Sequence, residues 1–295
     1  MKNVLFLAAL FLAVSNSYSD TEPVSDANDW KLTYALDLSV ALNAYSDNWT
    51  GSDLGTFTWI LRNDFVAEKQ IVDWLNSRTN LKLQFGQSST QDRETKVWAP
   101  LQKSSDQILV ESVQRLTFGL FTDPFVSAGL MTQFVDETDT LRTRSFNPLE
   151  LKGSAGAIKD LYRTEQSFLS SRLGFAMRKQ IDRDVLHEDL VRRTVSSTDG
   201  GLDLVFDFKY MSENEVFDIS SRLDIYSALF RVDDDESDNS YWRHPDVNWD
   251  SRVGISLARF LMLGINLQLL YDRELDSSPR FKHLYTIGFK YAYGN

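Results

Sequence analysis

The chain carries three histidines, His187, His244 and His283. Hydrolytic chemistry would need a nucleophile, a base that is most often histidine, and a third group orienting the base. His187 and His244 fall in polar stretches read as loops, and His283 opens the last strand a few residues after Ser277 and Ser278. No local motif surrounds any of them, so the chain reads as a non-enzyme with no catalytic residue. The acidic run Asp233-Asp234-Asp235-Glu236, with Asp238 soon after, offers hard oxygen ligands but lacks the glycine and spaced donors of a calcium loop. It reads as a solvated loop, and neither a metal nor a cofactor is expected. Asn48-Trp49-Thr50 formally matches a glycosylation acceptor and is read as loop structure.

The charges that recur with a fixed spacing lie elsewhere. Arg62, Lys82, Arg172, Arg178, Lys209, Arg222, Arg252 and Lys290, with Asp37, Asp64, Glu111, Asp203, Asp207, Asp218, Asp224, Asp250 and Asp272, sit at positions that alternate with large apolar residues. Successive side chains of a strand point to opposite faces, so this spacing puts the charges on one face and the apolar groups on the other. A pore selective for one ion would favour one sign along its constriction. Here the signs nearly balance, so the charges can pair across an enclosed space and narrow or close it.

The elements that must position these charges are long strands. Trp30 to Leu42 alternates Trp30, Leu32, Tyr34, Leu36, Leu38, Val40 and Leu42 against Lys31, Thr33, Ala35, Asp37, Ser39 and Ala41. The pattern returns in Thr56 to Ala67 and Asn80 to Gln87. It is blurred in Asp106 to Leu116, where Leu109 and Val113 fall on the polar face, and in Phe125 to Phe134, where Met131 does. Leu151 to Lys159 shows it least. It is clear again around Leu169 to Met177, Leu202 to Tyr210, Phe217 to Leu229, Trp249 to Leu257, Leu263 to Tyr271 and Tyr285 to Tyr293. About twelve strands, an even number with one apolar and one polar face, match an all-β transmembrane antiparallel up-and-down barrel with apolar residues toward lipid. A soluble sandwich rarely keeps charges on one face of so many long strands.

Long polar connections (43–55, 88–105, 135–150, 181–200 and 231–246) alternate with tighter ones such as 211–215 and 260–262, although 68–79 is longer than that order expects. This is the order of outer loops and inner turns in such a barrel. Trp30, Trp49, Trp74, Trp98, Trp242, Tyr162, Tyr241 and Tyr293 stand near strand ends, where aromatic girdles meet headgroups.

Composition agrees. Of 295 residues 42% are hydrophobic, mean hydropathy is −0.30, and after the first twenty residues no apolar run approaches a membrane-spanning helix, so a helical membrane protein is excluded. A net charge of −11 disfavours nucleic acid, and the absence of cysteine rules out disulfides and thiolate metal sites. Lys2, the apolar Val4 to Val14, and Ser17 and Ser19 form an export signal cut near Ser19, leaving residues 20–295 as a single barrel domain.

The last strand, Thr286-Ile287-Gly288-Phe289-Lys290-Tyr291-Ala292-Tyr293, resembles the β-signal read by the outer-membrane barrel-assembly machinery, which the resemblance implies as a partner beside outer-membrane lipids. Ala41 to Trp59 with Asn48-Trp49-Thr50-Gly51, then Leu81 to Gly86, Lys103 to Asp106 and Thr132-Gln133-Phe134, resemble an uncharacterised family of Gram-negative outer-membrane barrels, a domain of unknown function. That family commonly has a second glycine where this chain has Ser52. The resemblance implies architecture and location, not activity. A porin-like passive channel for small hydrophilic solutes is the leading functional expectation, with a closed structural or surface-interaction barrel second and a barrel hydrolase third.

Overall fold

The computed structural model describes residues 29–45, 54–92, 94–139, 141–164, 166–187, 190–233 and 241–294. The expected export signal, the Asn48-Trp49-Thr50-Gly51 loop and most of the acidic run lie outside them. Twelve strands follow one another: β1 Lys31–Asn43, β2 Thr56–Val72, β3 Leu75–Thr90, β4 Gln102–Leu116, β5 Asp123–Thr132, β6 Leu149–Arg163, β7 Phe168–Leu186, β8 Arg192–Met211, β9 Phe217–Asp233, β10 Asp246–Ser256, β11 Leu261–Tyr271 and β12 Arg280–Gly294. Each pairs antiparallel with its sequence neighbours, and β1 pairs with β12 from Thr33↔Gly294 to Val40↔Ile287, so the sheet is a closed barrel.

The strand faces explain the closure. Leu38, Leu173, Leu202, Leu229, Leu263, Tyr285 and Phe289 point out of the barrel and are 40 to 64% exposed, whereas Asp37, Arg172 and Asp203 point inward and are at most 5% exposed. Large apolar groups outside and buried charges inside invert a soluble core, as a barrel wall facing lipid requires. Closed pairing satisfies the backbone groups that lipid cannot. Two polar groups of the outer face find partners there: Asn63 Nδ2 donates to Tyr34 Oη at 2.8 Å and Trp249 Nε1 to Ser221 Oγ at 2.9 Å.

Several strands outrun their apolar alternation. The 68–79 stretch is not a long connection: β2 and β3 continue through it to a tight turn at Asp73 and Trp74, and Glu68 pairs with Arg78 in the ladder. Likewise the connection expected over 181–200 shrinks to 187–191, because β7 runs to Leu186 and β8 begins at Arg192. Beyond the apolar belt no side-chain alternation is demanded, but backbone pairing goes on.

The weakest expected strand, β6, is present. Its outward residues after Leu151 are Gly153, Ala155 and Ala157, which carry little hydrophobic signal. On the inner side Gly156 and Gly174 face one another in register beside Phe125. A Cβ on Gly156 would lie 2.1 Å from the Leu173 carbonyl oxygen, and one on Gly174 would lie 3.3 Å from Phe125 Cζ. In register beside them, Phe125 is 3% exposed, with the Arg172 guanidinium 5.8 Å from its ring. Gly156→Val should therefore cost about 1–3 kcal/mol by overpacking and lower the urea midpoint of the detergent-refolded barrel followed by tryptophan fluorescence. Gly129→Ala, whose Cβ would meet nothing closer than 3.5 Å, should leave it unchanged. Equal midpoints for both variants would refute this packing.

Candidate functional site in the barrel lumen

Even-numbered residues of β2, β3, β6, β7 and β9 to β12 and odd-numbered residues of β1, β4, β5 and β8 supply most of the lumen side chains, and two polar cavities open between them. One, of about 350 Å³, lies toward the short-turn end and is lined by Glu68, Arg78, Glu111, Arg115, Asp160, Arg172 and Asp207 among others. The second, of about 260 Å³, extends toward the long-loop end and is lined by Arg62, Asp64, Lys82, Glu111, Arg178, Arg222, Asp224, Asp250 and Arg252 among others. Glu111 lines both. Leu109 and Met131 line the second and Val113 the first, which is why β4 and β5 break the alternation.

The boundary between the cavities is an ionic cluster. Arg222 of β9 donates to Glu111 of β4 from Nη1 at 2.7 Å and from Nη2 at 3.2 Å, and Arg172 of β7 donates to Glu111 Oε1 at 2.9 Å. In the ring β4 and β9 are five strands apart out of twelve, so the contact crosses the barrel. Arg222 also holds Asp224 at 2.9 and 3.0 Å and stands 3.6 Å from Asp207, which is 3.7 Å from Arg172. Charges taken from water survive only when every partner is supplied, and removing one partner of a buried pair costs roughly 3–5 kcal/mol.

Other ties cross shorter arcs. Arg62 donates to Gln84 Oε1 at 2.7 Å and to Asn266, Arg252 reaches Asp37, and Lys290 reaches Asp218 at 2.7 Å. Arg178 grips Asp199 with Nε and Nη2 at 3.0 and 3.1 Å and Asp246 with Nη1 at 2.8 Å, over the ring of Tyr226 at 3.7 Å. Lys152 holds Asp203 at 2.6 Å. Asp64 and Lys82 face each other in register, as do Asp250 and Arg222. Asp272 differs: it lies one residue past β11, where its carboxylate accepts the Glu274 N–H at 2.9 Å and caps the turn.

Asp199 and Asp246 fall in or at the edge of stretches read as loops, so local spacing offers no reason to place them against Arg178. The outlying strand segments were the missing signal. Trp242, read as a girdle residue, instead packs against Ala176, Tyr226 and Ala228 inside the long-loop mouth, carried there by a short 3-10 helix Tyr241–Arg243. His283 points outward between Phe281 and Tyr285, with ring centroids 5.8 Å away on each side. His187 and His244 sit in connections at the long-loop end.

At that end the β5–β6 connection is tied to the β7–β8 hairpin. Asp136, fully buried, accepts from Arg144 Nη2 at 2.6 Å and Asn147 Nδ2 at 2.9 Å, while Asp182 receives Arg144 Nη1 at 2.9 Å and Asn147 Nδ2 at 2.6 Å. Arg192 reaches Asp139 at 2.6 Å. Burial alone would raise the Asp136 carboxyl, but hydrogen bonds from Thr138 and Asn147 and the Arg144 charge outweigh it and hold the group below its ordinary value. The Arg192 hydrogen bond, with the Leu141 N–H, lowers Asp139.

No family model matches this chain, and no curated protein matches it. Among solved structures it is similar to an outer membrane channel from Pseudomonas putida F1, at 12% identity and a TM-score of 0.43, covering 95% of this chain and all of that one. It is also similar to the translocator domain of the autotransporter NalP from Neisseria meningitidis, at 10% identity, a TM-score of 0.36, and 98% and 95% coverage. OprB of Pseudomonas putida follows at 12%, 0.24, and 91% and 94%. The barrel assignment stands on the strand pairing itself.

A carboxylate lowered in the folded state stabilises above its ordinary range and stops doing so as pH falls through the lowered value. Hydrogen–deuterium exchange of residues 133–148 is therefore expected to be flat from about pH 7 to 5, after correction for intrinsic rates, and to gain openings only below about pH 4. Asp136→Asn should raise exchange there at pH 7. Openings that begin near pH 6 would contradict the proposed anchor.

Proposed function

We propose that the chain is an outer-membrane barrel of a Gram-negative bacterium that acts as a narrow passive conduit for small hydrophilic solutes. In this reading residues 1–19 direct export and are removed, and the assembly machinery reads Thr286 to Tyr293. The observation that carries the conduit is the nature of the barrier. Among the described residues every one that lines the two cavities lies on a strand except Thr117, one residue past β4, and what separates the cavities is the side-chain cluster around Glu111. Side chains rearrange far faster than chain segments withdraw, so a lumen narrowed this way can pass water-sized and slightly larger solutes. Balanced charge along the lining favours weak selectivity between cations and anions.

A closed structural barrel is the second reading, favoured by the tie from β4 to β9. Single-channel recording in planar bilayers separates the two. The wild type is expected to give small, resolvable steps, and Glu111→Ala with Arg222→Ala, which removes both ends of the tie, should raise conductance severalfold. Silence from both proteins would support the closed barrel. Fractionation should recover the protein in the outer membrane with a heat-dependent gel shift, and a soluble periplasmic protein without the shift would overturn the location.

A further inference from the structure

The short-turn cavity holds cations that the ionic cluster does not consume. Among the described residues the one carboxylate within ion-pair distance of Arg78 of β3 is that of Glu68, at 4.0 Å and beyond hydrogen-bonding distance, and the Arg78 Nε is buried without a partner. Its guanidinium carbon sits 5.1 Å from the ring centroid of Phe168, the first residue of β7. The Arg163 guanidinium sits 5.7 Å from the same ring. Lys209 of β8, outside the residues that line the cavity, is in register with Phe168 and feels the charges of Arg78 and Lys290 and, with opposite sign, of Asp218 and Asp64; among the described residues no carboxylate lies within ion-pair distance of it. Two guanidinium groups therefore flank one ring, of which that of Arg163 is held by Asp160, and Lys209 is in register beside it.

The neighbouring carboxylates are committed. Asp160 is bound by Arg115 at 2.7 Å and Arg163 at 3.0 Å, Glu111 by Arg172 and Arg222, and Asp218 by Lys290. Asp207 stands nearest Arg172 and Arg222. Glu68 is the one carboxylate beside Arg78, and it accepts from Asn76 at 3.4 Å. Val113 and Ile158 add apolar surface to the cavity wall. A guanidinium left without a close partner in a confined aqueous pocket is stabilised by an anion, and guanidinium fits the two oxygens of a carboxylate.

We propose that this cavity is a binding site for small organic monocarboxylates, whose carboxylate lies between Arg78 and Lys209 and whose apolar part lies against Val113 and Ile158. The site deepens the conduit reading by naming a solute class, and it rests on that reading only in that solutes must enter the lumen from the short-turn end. Binding does not require current, so the two fail separately.

The test is isothermal titration of benzoate into the wild-type protein and into Arg78→Gln with Lys209→Gln, each folded in detergent and verified by its heat-dependent gel shift. Losing charge-assisted hydrogen bonds should weaken benzoate binding by about tenfold or more. Benzylamine, with the same ring and the opposite charge, should not compete. Equal affinity in the two proteins, competition by benzylamine, or no benzoate binding to the wild type at millimolar concentration would overturn the site. Should the double variant fail to fold, Lys209→Met alone provides the same comparison. Channel activity without benzoate binding would leave the conduit standing and remove the site; benzoate binding without current would do the reverse.

Discussion

Everything in this molecule depends on a sheet that has no free edge. A backbone N–H or C=O left unpaired in hydrocarbon costs several kcal/mol, so pairing β1 with β12 is the condition under which the other eleven ladders can exist in a membrane. Closing the ring creates an interior, and the two-residue period of a strand then assigns every side chain to lipid or to the interior. The apolar residues that would fill a soluble core are spent on the outside.

The interior is consequently built from what remains, which is largely charge. Arginine dominates its cationic side, and its planar fork lets one residue hold two acidic chains at once, as Arg178 does with Asp199 and Asp246 and Arg222 with Glu111 and Asp224. These contacts brace the wall from within. They also occupy the lumen between the two cavities.

The period of two made the fold legible, and strands such as β1, where six apolar residues alternate without a break, carried most of that information. Legibility failed in two physically distinct ways. Where strands leave the belt, as at Glu68 to Arg78, pairing persists without alternation, so connections looked longer than they are. Where the lumen wall must pack, as at Leu109, Val113 and Met131, apolar residues turn inward and blur the pattern. Most of the inward charges could be named from the sequence, but not who meets whom. The Glu111 contact with Arg222 joins residues 111 positions apart, and nothing in local spacing encodes it.

The ladder between β1 and β12 contains eight residue pairs, whereas β1 and β2 share thirteen. From Ala41 to Asn43 the first strand keeps its partner on one side only. The cylinder is thus mechanically uneven around its circumference. Under lateral tension the load here, as at the equally short ladder between β4 and β5, is divided among fewer bonds than between β1 and β2, and because this junction joins the first strand to the last it is the line that zips shut last when the sheet closes on itself.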